Sequence, residues 1–338
     1  MSIESLVLIG NDKGGTISAL RVEDTRLVPV ATSEVGVGCS TFAVDREAGL
    51  VYAATKQPTP AIVTLALDRE AGTLTERSRR EVSDPLAYLT LAGTTVLAAS
   101  YHGDWGASYP VADGVVGEPA TTVHAHRMHA AVADPHGRNA YFVSLGDDLI
   151  LQRSIAVDGE LVELSEPTLH CTPGSGPRHL VVSADGANAY LLTEFTAEAA
   201  RFERSEGGRL ERREVACAFD ALSGLHQSTY GADPVAGHLI WGADLALAGG
   251  ERWLLCTERT ESTVVAVELD DAGQFTGRTV LSHTEAQPRG LTVSPDGSRV
   301  VVVGERSDHA SLYRLDDGAL VLLDRTEVGR GPNWVRFA

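Results

Sequence analysis

The sequence predicts an all-β protein folded as a seven-bladed β-propeller. A short apolar strand pattern starts seven times along the chain, at intervals of roughly 45 residues, which is the size of one four-stranded blade. Each start is followed by further β-rich segments separated by Gly, Asp and Pro. No segment keeps the 3.6-residue apolar period of a helix. We therefore expect a single propeller domain over residues 1–338.

The repeats are marked by their first strands, here called strand A of each blade. These strands begin at Ser40, Ala87, His129, Arg178, Ala243, Arg289 and Asn333. The one long interval contains an insertion at about 220–241. Each A strand is followed by strands B, C and D, as in "LVYAAT", "AIVTLALD" and "LTERSRREV". This order predicts four antiparallel strands in each blade.

The two ends of the chain are expected to share one blade. The C-terminal "NWVRFA" supplies a strand A, after which the chain stops. The N-terminal "LVLIG", "TISALRV" and "LVPVAT" supply strands B, C and D that lack an A strand. Pairing the two ends closes the ring and leaves no open sheet edge.

Charge, apolar runs and cysteine spacing limit which partners the protein can have and where in the cell it acts. The net charge is −18 and no Lys/Arg run occurs, which argues against nucleic acid. No apolar stretch approaches 18 residues, so we expect no membrane-spanning segment. The N-terminus lacks the basic start and the long apolar run of a signal peptide, so we expect no secretory signal. The four cysteines are far apart and form no CxxC pair, so we expect four buried, reduced thiols. These features favour a cytoplasmic protein. We expect a small-molecule substrate and a monomer or weak homodimer.

The predicted topology brings charged residues together at one mouth of the central channel. Strands alternate in direction, so the starts of A strands and the ends of B strands emerge on one face of the ring. The A starts there are His129, Arg178, Arg289 and Asn333, and the B ends are Lys56, Glu194, Glu258 and Glu305. The 220–241 insertion connects a D strand to an A strand and is expected over the same mouth. His179 follows Arg178 and is expected to point the opposite way, into the blade.

These residue types suit the chemistry of anionic or carbonyl substrates. A guanidinium binds pairs of oxygens on a phosphate or a developing oxyanion, which fits Arg178 and Arg289. Neutral His129 can take a proton from water. The glutamates allow three readings: Glu194 acts in catalysis, the carboxylates bind Ca²⁺ or Mg²⁺, or they form salt bridges with Arg178, Arg289 and Lys56. We favour no metal and no cofactor. No G-x-S-x-G motif occurs, which excludes an esterase of the α/β-hydrolase type.

Three segments, "GPRHLVVSADGANAYLLTE", "EAQPRGLTVSPDG" and "GRGPNWV", resemble the lactonase family of seven-bladed propellers, in particular its bacterial 6-phosphogluconolactonases. The resemblance covers the whole chain and is densest over 126–338. The family includes fungal carboxymuconate lactonising enzymes, whose proposed site is a His, two Arg and a Glu. The matching residues here are His129, Arg178, Arg289 and Glu194. The family's common Pro-His-Ala-His reads "HRMH" at 126–129, so only His129 keeps its register and Arg127 becomes a candidate anion contact.

The resemblance implies hydrolysis of 6-phospho-D-glucono-1,5-lactone to 6-phosphogluconate, a step of the pentose phosphate pathway. The implied catalytic residues are His129, Glu194 and Arg178; the candidate substrate-binding residues are Arg289, Lys56, Arg127, Glu258, Glu305 and Asn333. Alternatives are a broad sugar lactonase, a lactonising isomerase acting on a muconate-type diacid, and a non-catalytic binding scaffold. A scaffold seldom concentrates Arg, His and Glu at one channel mouth, so we favour an enzyme.

Overall fold

A computed structural model describes residues 6–338 of the chain. These residues form 29 β-strands and no α-helix. The strands of the N-terminal half are β1 (Leu6–Asn11), β2 (Thr16–Glu23), β3 (Arg26–Glu34), β4 (Phe42–Asp45), β5 (Leu50–Thr55), β6 (Ala61–Asp68), β7 (Thr73–Glu81), β8 (Tyr88–Ala92), β9 (Thr95–Ser100), β10 (Trp105–Ala112), β11 (Val115–Val116), β12 (Thr121–His124), β13 (Met128–Ala133), β14 (Asn139–Ser144), β15 (Leu149–Ile155) and β16 (Leu161–His170).

The C-terminal half continues the same repeat. Its strands are β17 (Pro177–Val182), β18 (Asn188–Thr193), β19 (Glu198–Arg204), β20 (Leu210–Cys217), β21 (Gly242–Ala248), β22 (Trp253–Glu258), β23 (Thr263–Leu269), β24 (Phe275–His283), β25 (Pro288–Val293), β26 (Arg299–Gly304), β27 (His309–Asp316), β28 (Ala319–Glu327) and β29 (Pro332–Phe337).

The strands assemble into seven antiparallel sheets, which confirms the predicted propeller. Blade 1 contains β29 and β1–β3, blade 2 β4–β7, blade 3 β8–β12, blade 4 β13–β16, blade 5 β17–β20, blade 6 β21–β24 and blade 7 β25–β28. Blade 3 departs from the simple pattern, because its outer strand is split into β11 and β12, which both pair with β10. Each A strand contacts the A strand of the next blade, so the A strands surround the channel.

The predicted ring closure is also confirmed. Strand β29 pairs with β1 in antiparallel register, with Val335 opposite Ile9. The indole Nε1 of Trp334 also donates to the carbonyl of Phe42 in blade 2, at 2.8 Å. The C-terminal strand therefore joins blade 1 to itself and to its neighbour, and both contacts are removed if this strand is lost.

Burial follows strand position in the blade. The B strands β5, β9, β14 and β18 are buried at every position, while the outer strand β7 is exposed or half-buried at every position except Leu74. For this reason the sequence of a B strand is a continuous apolar run, whereas the sequence of a D strand mixes polar and apolar residues. No helix within residues 6–338 is long and apolar enough to cross a membrane.

The cysteines differ from the expectation in one respect. All four are free thiols, as expected, and Cys39 and Cys256 are buried. Cys171 is half-buried and Cys217 is exposed, so the prediction of four buried thiols is wrong. Cys217 ends the outer strand β20, where alternate residues face solvent.

Candidate functional site

A cavity of about 260 Å³ lies at one mouth of the channel. Its lining contains four cationic side chains, three histidines and the carboxylate of Glu194, together with several aromatic and small residues. The lining residues are Ser40, Lys56, Pro85, Leu86, Ala87, Tyr101, His102, His129, Arg178, His179, Glu194, Trp241, Arg259, Arg289, Asn333 and Trp334. Four cations and one carboxylate line this cavity although the chain as a whole has a net charge of −18, so its lining suits an anion better than the rest of the protein does.

β-Bulges at the starts of the A strands place four of the predicted residues in this cavity. In β17, Pro177 pairs with Thr193 and His179 with Leu192, so Arg178 is the extra residue of a bulge. The same pattern makes His129, Arg289 and Asn333 the extra residues of β13, β25 and β29. An extra residue bends the strand and re-aims its side chain. The predicted convergence of these A-start residues is therefore seen in the structure.

The bulge also changes the expected direction of His179. Strict alternation would turn His179 away from the side that Arg178 faces. Because the extra residue interrupts that alternation, both side chains line the cavity. The expectation that His179 packs into the blade interior is wrong.

The residue immediately after each B strand forms a second ring around the mouth. These residues are Asp12, Lys56, Tyr101, Leu145, Glu194, Arg259 and Glu305. Lys56, Tyr101, Glu194 and Arg259 line the cavity, and Glu305 and Asp12 pair with lining cations. Sequence reasoning missed Tyr101 and Arg259, although both occupy the register of Lys56 and Glu194.

Glu258 is not part of this ring and does not line the cavity. It is the last residue of β22, one position before the ring residue Arg259. Glu258 pairs with Gly242 in the same way that Thr193 pairs with Pro177, so Glu258 is equivalent to Thr193 and not to Glu194. Its Oε1 accepts hydrogen bonds from the backbone of Trp241 and Thr260, and its Oε2 from that of Glu261. Its carboxylate thus holds a turn, and the geometry does not support the predicted role in substrate binding.

Glu194 joins two buried arginines. Its Oε2 lies 2.8 Å from Arg178 Nε and 3.0 Å from Arg259 Nη2. Both arginine side chains are 2% exposed. Burial would raise the pKa of Glu194, but the guanidinium groups of Arg259 and Arg178 outweigh burial and lower it. Glu194 is consequently an ionised bridge between two guanidinium groups.

Arg259 is further fixed by the start of blade 6. Its Nη2 donates to the carbonyl of Gly242 at 2.8 Å, and its guanidinium lies over the ring of Trp241 at 3.8 Å from the centroid. Burial lowers the pKa of Arg259 to about 9, while Glu194 acts in the opposite direction. The arrangement holds a charged group in a desolvated wall of the cavity.

Arg289 and Lys56 are the more accessible cations of the site. Arg289 Nη1 lies 3.2 Å from Glu305 Oε2, and Lys56 Nζ lies 2.8 Å from Asp12 Oδ1. Their side chains are 33% and 39% exposed. These two cations can therefore meet a ligand at the open side of the cavity, whereas Arg178 and Arg259 belong to its wall.

His129 lies at the inner end of the cavity. Its ring contacts those of Tyr101 and His179 edge-on, with centroids 5.6 and 5.1 Å away. Burial, followed by the charge of Arg178, holds the pKa of His129 well below its usual value of 6.5, so the ring is neutral near pH 7. Its Nδ1 and the Oδ1 of Asn333 are buried and have no hydrogen-bond partner among residues 6–338. Glu194 contacts Arg178 and Arg259, and it does not orient His129.

The insertion extends over this mouth, as predicted. Ser228 donates from its backbone to the carbonyl of Phe195, and Tyr230 stacks against Arg127 with 3.5 Å from Cζ to the ring centroid. The last residue of the insertion, Trp241, lines the cavity. Arg127 itself does not line the cavity, so its placement favours anchoring the insertion over contacting an anion.

The three glutamates considered as possible cation ligands do not share a set of partners. Glu194, Glu258 and Glu305 each have a different set of partners, two arginines, three backbone amides and Arg289 respectively. Within residues 6–338, no group of three or more His, Cys, Asp or Glu side chains is placed to hold a metal ion.

Comparison with known proteins gives a family and a set of relatives. A family model described as lactonase, 7-bladed β-propeller, matches residues 7–337. The 6-phosphogluconolactonase of Sodalis glossinidius is 28% identical over 249 residues, which cover 72% of this chain and 72% of that protein. The 6-phosphogluconolactonase of Pectobacterium carotovorum is 28% identical over 248 residues, covering 72% and 71%.

Solved structures show the same fold. The periplasmic gluconolactonase PpgL of Pseudomonas aeruginosa superposes with a TM-score of 0.86 and 22% identity over 99% of each chain. A protein from Lactobacillus plantarum matches equally, with a TM-score of 0.86 and 22% identity over 99% of each chain. At this identity the likeness concerns the fold alone.

Proposed function

The chain belongs to the lactonase family of seven-bladed β-propellers, and from this we propose that it hydrolyses 6-phospho-D-glucono-1,5-lactone to 6-phosphogluconate. Its curated relatives carry the name of that enzyme, a carboxylic-ester hydrolase that opens a lactone. One observation supports the proposal most: Arg178, Arg259, Arg289 and Lys56 line one cavity of a strongly acidic chain. A phosphorylated sugar lactone brings a phosphate dianion and a carbonyl that becomes an oxyanion, and both need cations or strong donors.

We assign the opening of the ring to the inner part of the cavity. A water molecule attacks the lactone carbonyl carbon and gives up a proton to neutral His129 as the tetrahedral intermediate forms. Arg178 donates to the developing oxyanion. The bond between the carbonyl carbon and the ring oxygen then breaks, and the proton held by His129 passes to that oxygen, which becomes a hydroxyl. The new carboxylic acid loses its proton to solvent.

The two buried arginines depend on Glu194 in this scheme. An ionised carboxylate between two guanidinium groups is a weak base, because its pKa is lowered by the charges around it. Glu194 therefore fixes Arg178 and Arg259 and takes no proton. Among the residues predicted as catalytic, we keep His129 and Arg178 and give Glu194 this positioning role.

We assign the phosphate to Arg289 and Lys56 at the open side of the cavity. Both cations are partly exposed, and each is paired with one carboxylate, Glu305 or Asp12. Each cation now contacts a single carboxylate oxygen. A phosphate dianion has three free oxygens, so it can accept hydrogen bonds from both cations at once. We assign Asn333, whose side-chain amide lines the cavity, to a hydroxyl of the sugar.

The test is a direct comparison of two lactones. Purified protein is mixed with freshly generated 6-phosphogluconolactone or with unphosphorylated gluconolactone, and the rate is corrected for spontaneous opening. We expect a clearly higher kcat/KM for the phosphorylated lactone. Equal values would replace the proposal with a broad sugar lactonase, and no acceleration of either lactone would remove the proposed substrate class.

A further inference from the structure

His179, which lines the cavity, pairs with a buried aspartate, Asp244, and neither residue has a role in the proposed reaction. His179 of blade 5 and Asp244 of blade 6 are both buried, and Nδ1 of His179 lies 2.8 Å from Oδ1 of Asp244. The imidazole ring is enclosed by Tyr88, Trp334 and His129, whose ring centroids lie 5.1, 5.9 and 5.1 Å away. The pair thus crosses from one blade to the next beneath the reacting groups.

The hydrogen bonds of Asp244 determine where the imidazole proton lies. Its Oδ1 also accepts from the backbone of Leu245 at 3.0 Å, and its Oδ2 accepts from the backbone of Leu291 at 3.1 Å. Burial would raise the pKa of Asp244, but its hydrogen bond to His179 and the charge of Arg336 outweigh burial and lower it, so the carboxylate is ionised near pH 7 and has no proton to give. Nδ1 of His179 is consequently the donor in this pair, and a neutral ring then leaves Nε2 as an acceptor.

The acceptor nitrogen faces the arginine assigned to the oxyanion. Nε2 of His179 lies 3.2 Å from Nη1 of Arg178. The same Nη1 donates to the carbonyl of Ala243, and Nε donates to Glu194. Three acceptors at Nε and Nη1 thus fix the orientation of the guanidinium plane. Nη2 has no hydrogen bond to any of residues 6–338, which leaves it for a ligand.

We propose that Asp244 and His179 are positioning residues: Asp244 holds His179 in the tautomer that accepts a hydrogen bond from Arg178, and this aims the free edge of the guanidinium at the lactone carbonyl. The inference rests on the proposed function for the identity of the substrate. It assigns no proton transfer to His179. The histidine acts through Arg178, and the aspartate acts through the histidine.

Two substitutions of His179 separate positioning from packing. In His179→Asn the amide nitrogen can replace Nδ1 as the donor to Asp244, but the acceptor facing Arg178 is lost. In His179→Gln the longer side chain brings an amide oxygen to the place of Nε2 and keeps that acceptor. His126→Asn is the matched control, because His126 pairs with Asp147 at 2.8 Å but its side chain is 68% exposed outside the cavity.

We expect His179→Asn to lower kcat about 10–100-fold, the scale of a lost hydrogen bond to a charged group, with little change in KM. His179→Gln should recover most of that loss, and His126→Asn should match the wild type. In an Arg178→Ala background, His179→Asn should add less than about a twofold effect, because a residue that acts only through Arg178 has nothing left to position. Equal losses in the Asn and Gln variants, or an undiminished loss in the Arg178→Ala background, would overturn the proposal.

A spectrum tests the pair without any substrate. Burial, followed by the charge of Arg178, lowers the pKa of His179 to about 4, so the ring should stay neutral between pH 6 and 8. A ¹H–¹⁵N correlation spectrum of the histidine rings should then show His179 protonated at Nδ1 alone, and Asp244→Asn should alter that signal. A proton on Nε2 in the wild type would refute the inference. A wild type that opens no lactone but shows the Nδ1 tautomer would remove the proposed function and leave the pair intact.

Discussion

Arg259 lies 3.0 Å from the same Glu194 oxygen that accepts the hydrogen bond of Arg178. One carboxylate therefore neutralises part of the charge of two guanidinium groups that are almost completely buried. Removing the carboxylate would leave two desolvated cations side by side, which is far more costly than losing a salt bridge at the surface. The shape of the cavity wall therefore depends on this bridge.

Glu194→Gln should lower both stability and activity. Breaking a buried pair by removing one partner costs about 3–5 kcal/mol. Glu305→Gln is the matched control, because its partner Arg289 is 33% exposed and water can replace the lost contact; its loss of unfolding free energy should be smaller. Urea unfolding of both variants measures the difference, and equal losses would contradict the bridging role.

The same bridge predicts a pH dependence of stability. The pKa of Glu194 in the folded protein is lowered from 4.5, so its stabilising contribution is complete above pH 4.5 and is lost as the pH falls through the lower folded value. The stability difference between wild type and Glu194→Gln should accordingly be constant between pH 6 and 8 and shrink in acid. Unfolding curves recorded from pH 7 downward test this, and a difference that grows in acid would show the opposite sign.

His129→Ala should reduce kcat about 10²–10⁴-fold, the scale of a general base, with little effect on KM. Because burial and the charge of Arg178 hold the pKa of His129 well below 6.5, the wild-type kcat should stay flat between pH 8 and 6.5 and decline at lower pH, as the base becomes protonated. An inflection at or above pH 6.5 that disappears in His129→Ala would require a different environment for this ring.

Arg289→Ala and Lys56→Ala should weaken binding of the phosphate group. We expect each to raise KM for 6-phosphogluconolactone and to leave KM for gluconolactone nearly unchanged, because only the first carries the anion. Steady-state kinetics with both lactones gives the comparison. Equal effects on the two lactones would instead place these cations at the carbonyl.

Loss of the C-terminal strand should destabilise the whole domain. Deleting residues 333–338 removes the strand that pairs with β1 and exposes the edge of blade 1. A milder variant, Phe337→Ala, should cost about 3–5 kcal/mol, since this side chain is buried. The exposed Leu322→Ala should stay within about 0.5 kcal/mol of the wild type. Thermal unfolding of the truncated protein with an unchanged Tm would contradict the role of β29.

The sequence was sufficient for the fold and for the convergence of the A-start residues. Seven apolar starts with turn residues between them leave few other architectures, and a ring brings equivalent positions to one face. His129, Arg178, Arg289 and Asn333 line one cavity for this reason. At the A starts, the repeat identified equivalent positions even though the residues at those positions differ.

Side-chain direction near the bulges could not be predicted. The segments "LLTE" and "LLCTE" suggest that Glu258 matches Glu194, yet strand pairing makes Glu258 equivalent to Thr193 and Arg259 equivalent to Glu194. His179 turns to the cavity for the same kind of reason, because the extra residue before it interrupts the alternation. One inserted residue moves every later side chain to the other face, and apolar patterns do not show where it lies.

The most direct test is the opening of 6-phosphogluconolactone by the wild type, Arg178→Ala and Arg213→Ala, measured side by side at saturating substrate. Arg213 lies on the outer strand β20 and pairs only with surface glutamates among the described residues, so it controls for the loss of one positive charge. We expect the wild type and Arg213→Ala to be equally fast and Arg178→Ala to lose about 10²–10³-fold in kcat, the effect of removing one oxyanion donor. If Arg178→Ala opened the lactone as fast as the wild type, the reaction would not take place at this cluster of arginines.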